Sequence, residues 1–341
     1  MQTIPAYSLP QAPPVPPRPL DPNAPALEDG GLFGLGLSLE ESQLVAIPVP
    51  YDVTCSSRHG TLDGARALIQ ASGQVDLLDP LMGEVYRRGL CALPELEVLR
   101  SLSQAFEEQA EHARQGNEAA RASVDAMGHE VWRWLEQTTG ELLDSGRVPL
   151  ILGGEHGVSF GAFRALAARH NEFGVLQIDA HADLRQAYEG WRTSHASVMA
   201  RALELPSMTR LVQVGLRDYC VEEQSARDSS DGRAVWFTDA AIAARRLSGE
   251  SYRDVVDDAL RSLPPKVWVS FDIDGLEPSL CPGTGTPVPG GLSWREATFL
   301  LERLKRSGRQ VLGADLVEIG PGWWDGYVAA KLLYLLAGVA S

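Results

Sequence analysis

Residues 177–185 read QIDAHADLR, which sets Asp179, His181 and Asp183 on alternate positions directly after an apolar run. Carboxylate and imidazole groups carry protons and bind metal ions. In extended backbone, residues i, i+2 and i+4 point the same way, so the three side chains are expected to project together from a strand end. The stretch FDID repeats the device with Asp272 and Asp274. A D-x-D in polar surroundings is an ordinary solvated turn. Here the flanks are apolar, which places the carboxylates at the mouth of a core, where unpaired charges repel and lose hydration. A pair of divalent cations relieves both penalties. One histidine, several aspartates and no cysteine suit manganese(II) better than structural zinc. Two such ions sharing carboxylates activate a water as hydroxide near neutral pH, and that is hydrolytic chemistry.

Particular elements must hold these groups. From residue 44 onward the runs LVAIPVPYD, VPLILGG, FGVLQIDA, RLVQVGLR, AVWFTDA, KVWVSFDID and QVLGADLVEI are apolar and of strand length. Such strands are covered on both faces, which implies a parallel sheet. GAFRALAARH and REATFLLERLKRS carry helical spacing between them, so the order is β-α-β-α, and GYVAAKLLYLLAG reads as a closing helix. The long stretch SQAFEEQAEHARQGNEAARASVDAMGHEVWRWLEQTTGELL predicts helix with a break near Gly116-Asn117. In open α/β sheets, sites lie beyond the carboxyl ends of strands. His156 follows LILGG, Asp179 follows VLQI, Asp272 follows VWVSF and Glu318 follows GADLV. Four strand ends thus offer candidate ligands or substrate contacts.

The first 30 residues stand apart. PQAPPVPPRPLDPNAP is too rich in proline for helix or inner strand and is expected to be an extended or disordered arm. Residues 31–341 are expected to form one catalytic domain, since neither a repeat nor a linker divides them. The net charge of −15 disfavours nucleic acid and anionic membrane surfaces as partners and favours a small cationic substrate. Four cysteines without a CxxC read as free thiols in a reducing compartment. With neither a signal-peptide pattern nor an apolar run of spanning length, a cytoplasmic location is expected.

GGEHGVSFG, DAHADLR, SFDID, PGTGTPVPGG and DLVEIGP together resemble the successive signatures of the ureohydrolase family of arginases and agmatinases. The likeness runs from IPVPYD near residue 47 to the C-terminal helix and leaves out the arm. It implies a three-layer α/β/α sandwich on a mostly parallel eight-stranded sheet, with two manganese ions and a bridging hydroxide. Carried over residue by residue, His156, Asp179, Asp183 and Asp272 hold one ion; Asp179, His181, Asp272 and Asp274 hold the other. Asp183 also orients the hydroxide, which attacks a guanidinium carbon to release urea and an amine. Glu318 pairs with the substrate guanidinium, His195 in TSHASVM shuttles protons, and Thr286 in GTGTP supports the guanidinium end. Nickel or another divalent ion is the alternative to manganese, and a trimer or hexamer of identical chains is implied.

Some positions depart from the family pattern. Glu155 stands for a more usual aspartate, Gly157 for serine or an apolar residue, and Cys281 for alanine or threonine. Trp323 and Trp324 follow the Glu318 motif, where they would narrow the pocket or offer a cation a ring face, or else serve as core or subunit contact. The stretch DAHADLRQAYEGWRTSHASVM is similar to the agmatinase branch, so agmatine, giving putrescine, is the expected substrate. Guanidinobutyrate, guanidinopropionate, arginine and guanidine remain alternatives, as does a non-catalytic binding relative. The related zinc deacetylases lack counterparts of His156 and Glu318.

Overall fold

The computed structural model describes residues 4–340. Its centre is one eight-stranded sheet: β1 (Leu44–Pro48), β2 (Leu90–Ala92), β3 (Val148–Leu152), β4 (Phe173–Ile178), β5 (Met208–Val214), β6 (Ala234–Phe237), β7 (Lys266–Asp272) and β8 (Gln310–Val317). The strands lie in the order β2-β1-β3-β8-β7-β4-β5-β6. The sheet is parallel at every pairing, where mostly parallel was expected. The apolar runs mark seven of the strands. The eighth, β2, has only three residues at the sheet edge, too few to show a pattern.

Both faces are covered, as the unbroken apolar runs require. Along β1, Leu44 and Ala46 join one core and Val45 and Ile47 the other. The first core packs α1 (Gly64–Ser72), α8 (Tyr252–Arg261), α9 (Trp294–Arg306) and α10 (Trp323–Val339) against the sheet, with α7 (Asp239–Leu247) contributing Ile242. The second takes α2 (Glu97–Arg114), α3 (Glu118–Asp144), α4 (Phe160–Ala167) and α5 (Val198–Leu203), with α6 (Val221–Asp228) at its margin. This is a three-layer α/β/α sandwich. Helix α10 is apolar on nearly all sides because it lies against α1, α9 and β8. Each of its buried leucines contributes roughly 1.5–3 kcal/mol.

Local chemistry sets the boundaries. Helix α2 ends before Gly116, whose φ of 97° a residue with a Cβ rarely adopts, and Asn117 opens α3 by accepting the Ala120 N–H at 3.1 Å. Ser293 and Glu296 close a capping box on α9. The described part of the arm, residues 4–30, contains neither helix nor strand. It lies on its own chain: the Tyr7 ring sits 5.9 Å from that of Trp134, and Arg147 donates to the Pro10 and Ala12 carbonyls.

Candidate metal centre and substrate cleft

Strands β3, β8, β7 and β4 are consecutive neighbours at the middle of the sheet, and each candidate ligand follows the carboxyl end of one of them. Beyond β3, Gly153 and Gly154 turn the chain at positive φ and deliver His156 into the interior. Its ring Nδ1 lies 3.0 Å from Asp179 Oδ2, 2.9 Å from Asp183 Oδ2 and 3.5 Å from Asp272 Oδ2. The opposite nitrogen, Nε2, is 2.8 Å from Ser270 Oγ. The Ser270 hydroxyl donates to Asp315 Oδ1 at 2.8 Å, so toward His156 it is an acceptor, and the imidazole proton is fixed on Nε2. Asp315 is held in turn by the Trp268 indole N–H. Nδ1 is therefore a buried lone pair with no hydrogen-bond partner, facing three carboxylates. Only a cation can sit among such groups, either a proton or a metal ion.

A second cluster adjoins the first through Asp179. His181 Nδ1 is 3.0 Å from Asp274 Oδ2 and 3.7 Å from Asp179 Oδ1. Backbone donors steady these carboxylates: the His181 N–H to Asp179, the Ala180 N–H to Asp274 and the Asp274 N–H to Asp272, all at 2.7–3.0 Å. The extended run expected for Asp179, His181 and Asp183 does not occur. Strand β4 ends at Ile178, and Asp183 has a left-handed φ of 54°. The Asp183 carbonyl accepts the Met199 and Ala200 N–H groups at 3.1 Å each, and this clasp holds the turn. The side chains converge because the chain bends toward His156, not because it stays straight.

Charge crowding shifts the pKa values of these groups when no metal is bound. Burial, reinforced by the Asp179 charge, pushes Asp183 up to about 7. Burial also raises Asp272, helped by Asp274 and Asp179. For His156, burial opposes the charged ring, but the surrounding aspartates outweigh it and hold the pKa well above the usual value. His181 behaves alike, burial being overcome by Asp274 and Asp179, and reaches about 12.

Glu318 follows β8 with a left-handed φ of 58°, and its Oε1 accepts the His156 N–H at 2.8 Å. Thr284 donates to its carbonyl at 2.7 Å, which fastens the GTGTP loop over it. Burial, with Asp274 and Asp183 nearby, raises Glu318 to about 8. Two non-glycine residues in a sparsely populated backbone region at one site are a local strain that functional sites often hold. His195 Nδ1 is 3.2 Å from Thr54 Oγ1. The Thr54 hydroxyl donates to Glu155 Oε1 at 2.7 Å, so it accepts from the histidine and leaves Nε2 as acceptor. Burial, with the His181 and His156 charges, depresses His195 to about 3, so it is neutral at neutral pH. A cleft of about 510 Å³ opens above these groups, lined among others by His181, Asp183, His195, Thr286, Tyr188 and Asp218. Thr286 reaches Asp274 Oδ2 at 3.5 Å.

The sequence reading passed over Ser270 and Asp315. A serine and an aspartate inside otherwise apolar strand runs were the available signal, since a buried polar group needs a partner. It also passed over Thr54, which ties His195 to Glu155. Trp323 and Trp324 are not core: they are 61% and 43% exposed, and neither lines the cleft. Cys281 is buried, and burial with Asp274 and Asp272 nearby pushes its thiol well up, which leaves it unreactive.

The residues fit a metal pair. His156, Asp179 and Asp183 offer ligand atoms within 4.8 Å of one another, as do Asp179, His181 and Asp274, so Asp179 serves both groups. Imidazole and carboxylate oxygen are the donors of a borderline-to-hard divalent ion. The sheet order and this donor set define a three-layer α/β/α protein with a site for two metal ions beyond its central strands. The chain belongs to the arginase family, whose pattern it matches over residues 42–334. It is 33% identical over 302 residues to an N(1)-aminopropylagmatine ureohydrolase of Thermus thermophilus, covering 88% of this chain and 91% of that protein. An agmatinase of Bacillus anthracis is 30% identical over 289 residues, covering 83% and 86%. Among solved structures, the agmatine ureohydrolase of Thermoplasma volcanium superposes with a TM-score of 0.69 at 24% identity, covering 88% and 90%. The chain is thus an arginase-family ureohydrolase with the binuclear metal dependence of that family.

Proposed function

We propose that the chain hydrolyses agmatine to urea and putrescine, with two manganese ions as the metal pair. The observation that carries the reading is that His181, Asp183, His195 and Thr286 line one cleft, while His156, Asp179 and Glu318 are buried behind them, His156 Nδ1 lying 2.9 Å from Asp183 and the His156 N–H donating to Glu318. His156, Asp179, Asp183 and Asp272 would hold one ion, and Asp179, His181, Asp272 and Asp274 the other. A bound pair supplies Lewis acidity that makes water a nucleophile at neutral pH. Glu318 takes the planar guanidinium by charge-assisted hydrogen bonds, using the carboxylate oxygen that His156 N–H does not engage. Thr286 supports the same end of the substrate. Asp183 accepts a hydrogen bond from the attacking water and fixes its orientation. His195 rests neutral with a free Nε2, suited to passing a proton toward the departing amine.

A second reading is hydrolysis of N(1)-aminopropylagmatine, the compound named for relatives in Synechocystis and Thermus thermophilus. It is favoured by the size of the cleft, about 510 Å³, and by the exposed Asp218 on its wall, a carboxylate placed to meet a distant ammonium. Residues 31–341 would form a single catalytic domain, and the protein would work as a cytoplasmic homo-oligomer. No helix among the described residues is long and apolar enough to cross a membrane.

The test is urea release by manganese-loaded protein from agmatine, N(1)-aminopropylagmatine, guanidinobutyrate, guanidinopropionate, arginine and guanidine. Turnover with agmatine as the preferred substrate is the expected result. Preference for the aminopropyl compound selects the second reading, and no urea from any member, despite bound metal, overturns both.

A further inference from the structure

A second group of ligand-type side chains lies outside the centre described above. Asp52 follows β1, His59 closes the next loop, and Glu107 comes from α2; their ligand atoms all lie within 4.8 Å of one another. Asp52 is only 1% exposed. Its Oδ2 accepts the Gly60 and Leu62 N–H groups, each at 3.1 Å, whereas Oδ1 is buried without a hydrogen-bond partner among the described residues. A buried carboxylate oxygen left unpaired is costly, on the order of 1–3 kcal/mol. The Asp52 N–H donates to Ser103 Oγ on α2, and Glu107 is one helical turn beyond Ser103, on the same face. His59 is exposed, which opens the group to solvent.

We propose that Asp52, His59 and Glu107 form a further divalent-cation site, a single solvent-open one for which zinc is the probe. One imidazole and two carboxylates make a three-ligand set, and water completes the tetrahedron. Donors at about 2.0–2.2 Å from one ion are at most about 4 Å apart, which small side-chain adjustments reach from the present spacing. The ion neutralises the orphaned oxygen and clips both ends of the 52–59 loop to α2. That loop is a wall of the cleft: Ser56, Ser57 and Arg58 line it, and Thr54 holds His195. The site therefore fastens a substrate-facing loop without sharing a ligand with the central pair.

The experiment is equilibrium dialysis of the full chain against Zn²⁺, with zinc counted per chain by atomic emission. His59→Ala and Glu107→Gln are compared with their parent, in the native background and in a His156→Ala/Asp274→Asn background that disables the central pair. Each substitution is expected to remove one zinc per chain in both backgrounds, whether or not the protein hydrolyses any guanidino compound. Equal zinc in parent and variants overturns the proposal. So does a loss confined to the native background, since that would place the ion at the central site.

Discussion

At the candidate centre the same atoms are called on to bind either protons or metal, and pH decides how strongly the two compete. In metal-free protein Asp183 is raised to about 7 and His181 to about 12. The signs differ by type but act in one direction. Folding takes up a proton at Asp183 between the ordinary aspartate range and about 7, so stability falls as pH rises through that window. The His181 contribution is fully present below its unfolded value and is lost as pH rises toward about 12. Asp179 is lowered because the two histidines outweigh its burial, so its contribution is constant above the ordinary aspartate range. Metal-free protein should therefore melt at a lower temperature at about pH 8.5 than at about pH 6. Metal binding displaces these protons, so the gain in melting temperature on adding Mn²⁺ should be larger at the higher pH. Calorimetry with and without Mn²⁺ at both values checks this. A gain that shrinks with pH would mean that the acidic cluster is not where the metal binds.

Among the elements, the loop carrying His195 is closely seated between two glycines. A Cβ on Gly157 would stand 2.7 Å from the Thr193 carbonyl oxygen and 3.1 Å from the His195 nitrogen, while Gly128 on α3 admits the Thr193 side chain from the other side. Gly157→Ala must push the loop away from the centre without touching a candidate ligand. Turnover should fall by roughly 10²-fold, the effect of about 1 Å of misplacement, with manganese content unchanged. Inductively coupled plasma analysis alongside the urea assay separates this from metal loss. The apolar strand runs were readable in the sequence because a sheet buried on both faces demands them. So were the nine candidate residues, whose motifs recur in order. What the sequence concealed depends on contacts between distant segments. Asp183 bends at left-handed φ because two α5 amides claim its carbonyl, and no local pattern announces that. Ser270 matters because Asp315, on the adjacent strand, orients its hydroxyl. Trp323 and Trp324 left pocket wall, core and subunit contact all open by type; of these, core is excluded, since they begin α10 on its exposed side, where Trp323 stacks on Tyr327 at 5.3 Å.

For the molecule as a whole, the proline-rich arm is a strap over its own chain. Arg147 is buried and spends donors on the Pro10 and Ala12 carbonyls, and Trp134 is covered in part by Tyr7. Removing residues 1–16 strands those donors, at about 1–3 kcal/mol. The melting temperature should fall by roughly 2–10 °C, measured by calorimetry. The kcat should stay unchanged, because none of the described arm residues lines the cleft. The order of strands across the sheet reaches further still. Strand β8 is the last to leave the ribosome, yet it is inserted between β3 and β7 at the very middle. Until it arrives, a nascent chain holds two half-sheets with unpaired inner edges, the kind of surface that invites wrong pairing. Glu318 and the His156 support from Asp315 come with that strand. The centre is therefore completed only once the last of the eight strands is in place, and a translation product truncated before it would bear all six candidate metal ligands without the architecture that arranges them.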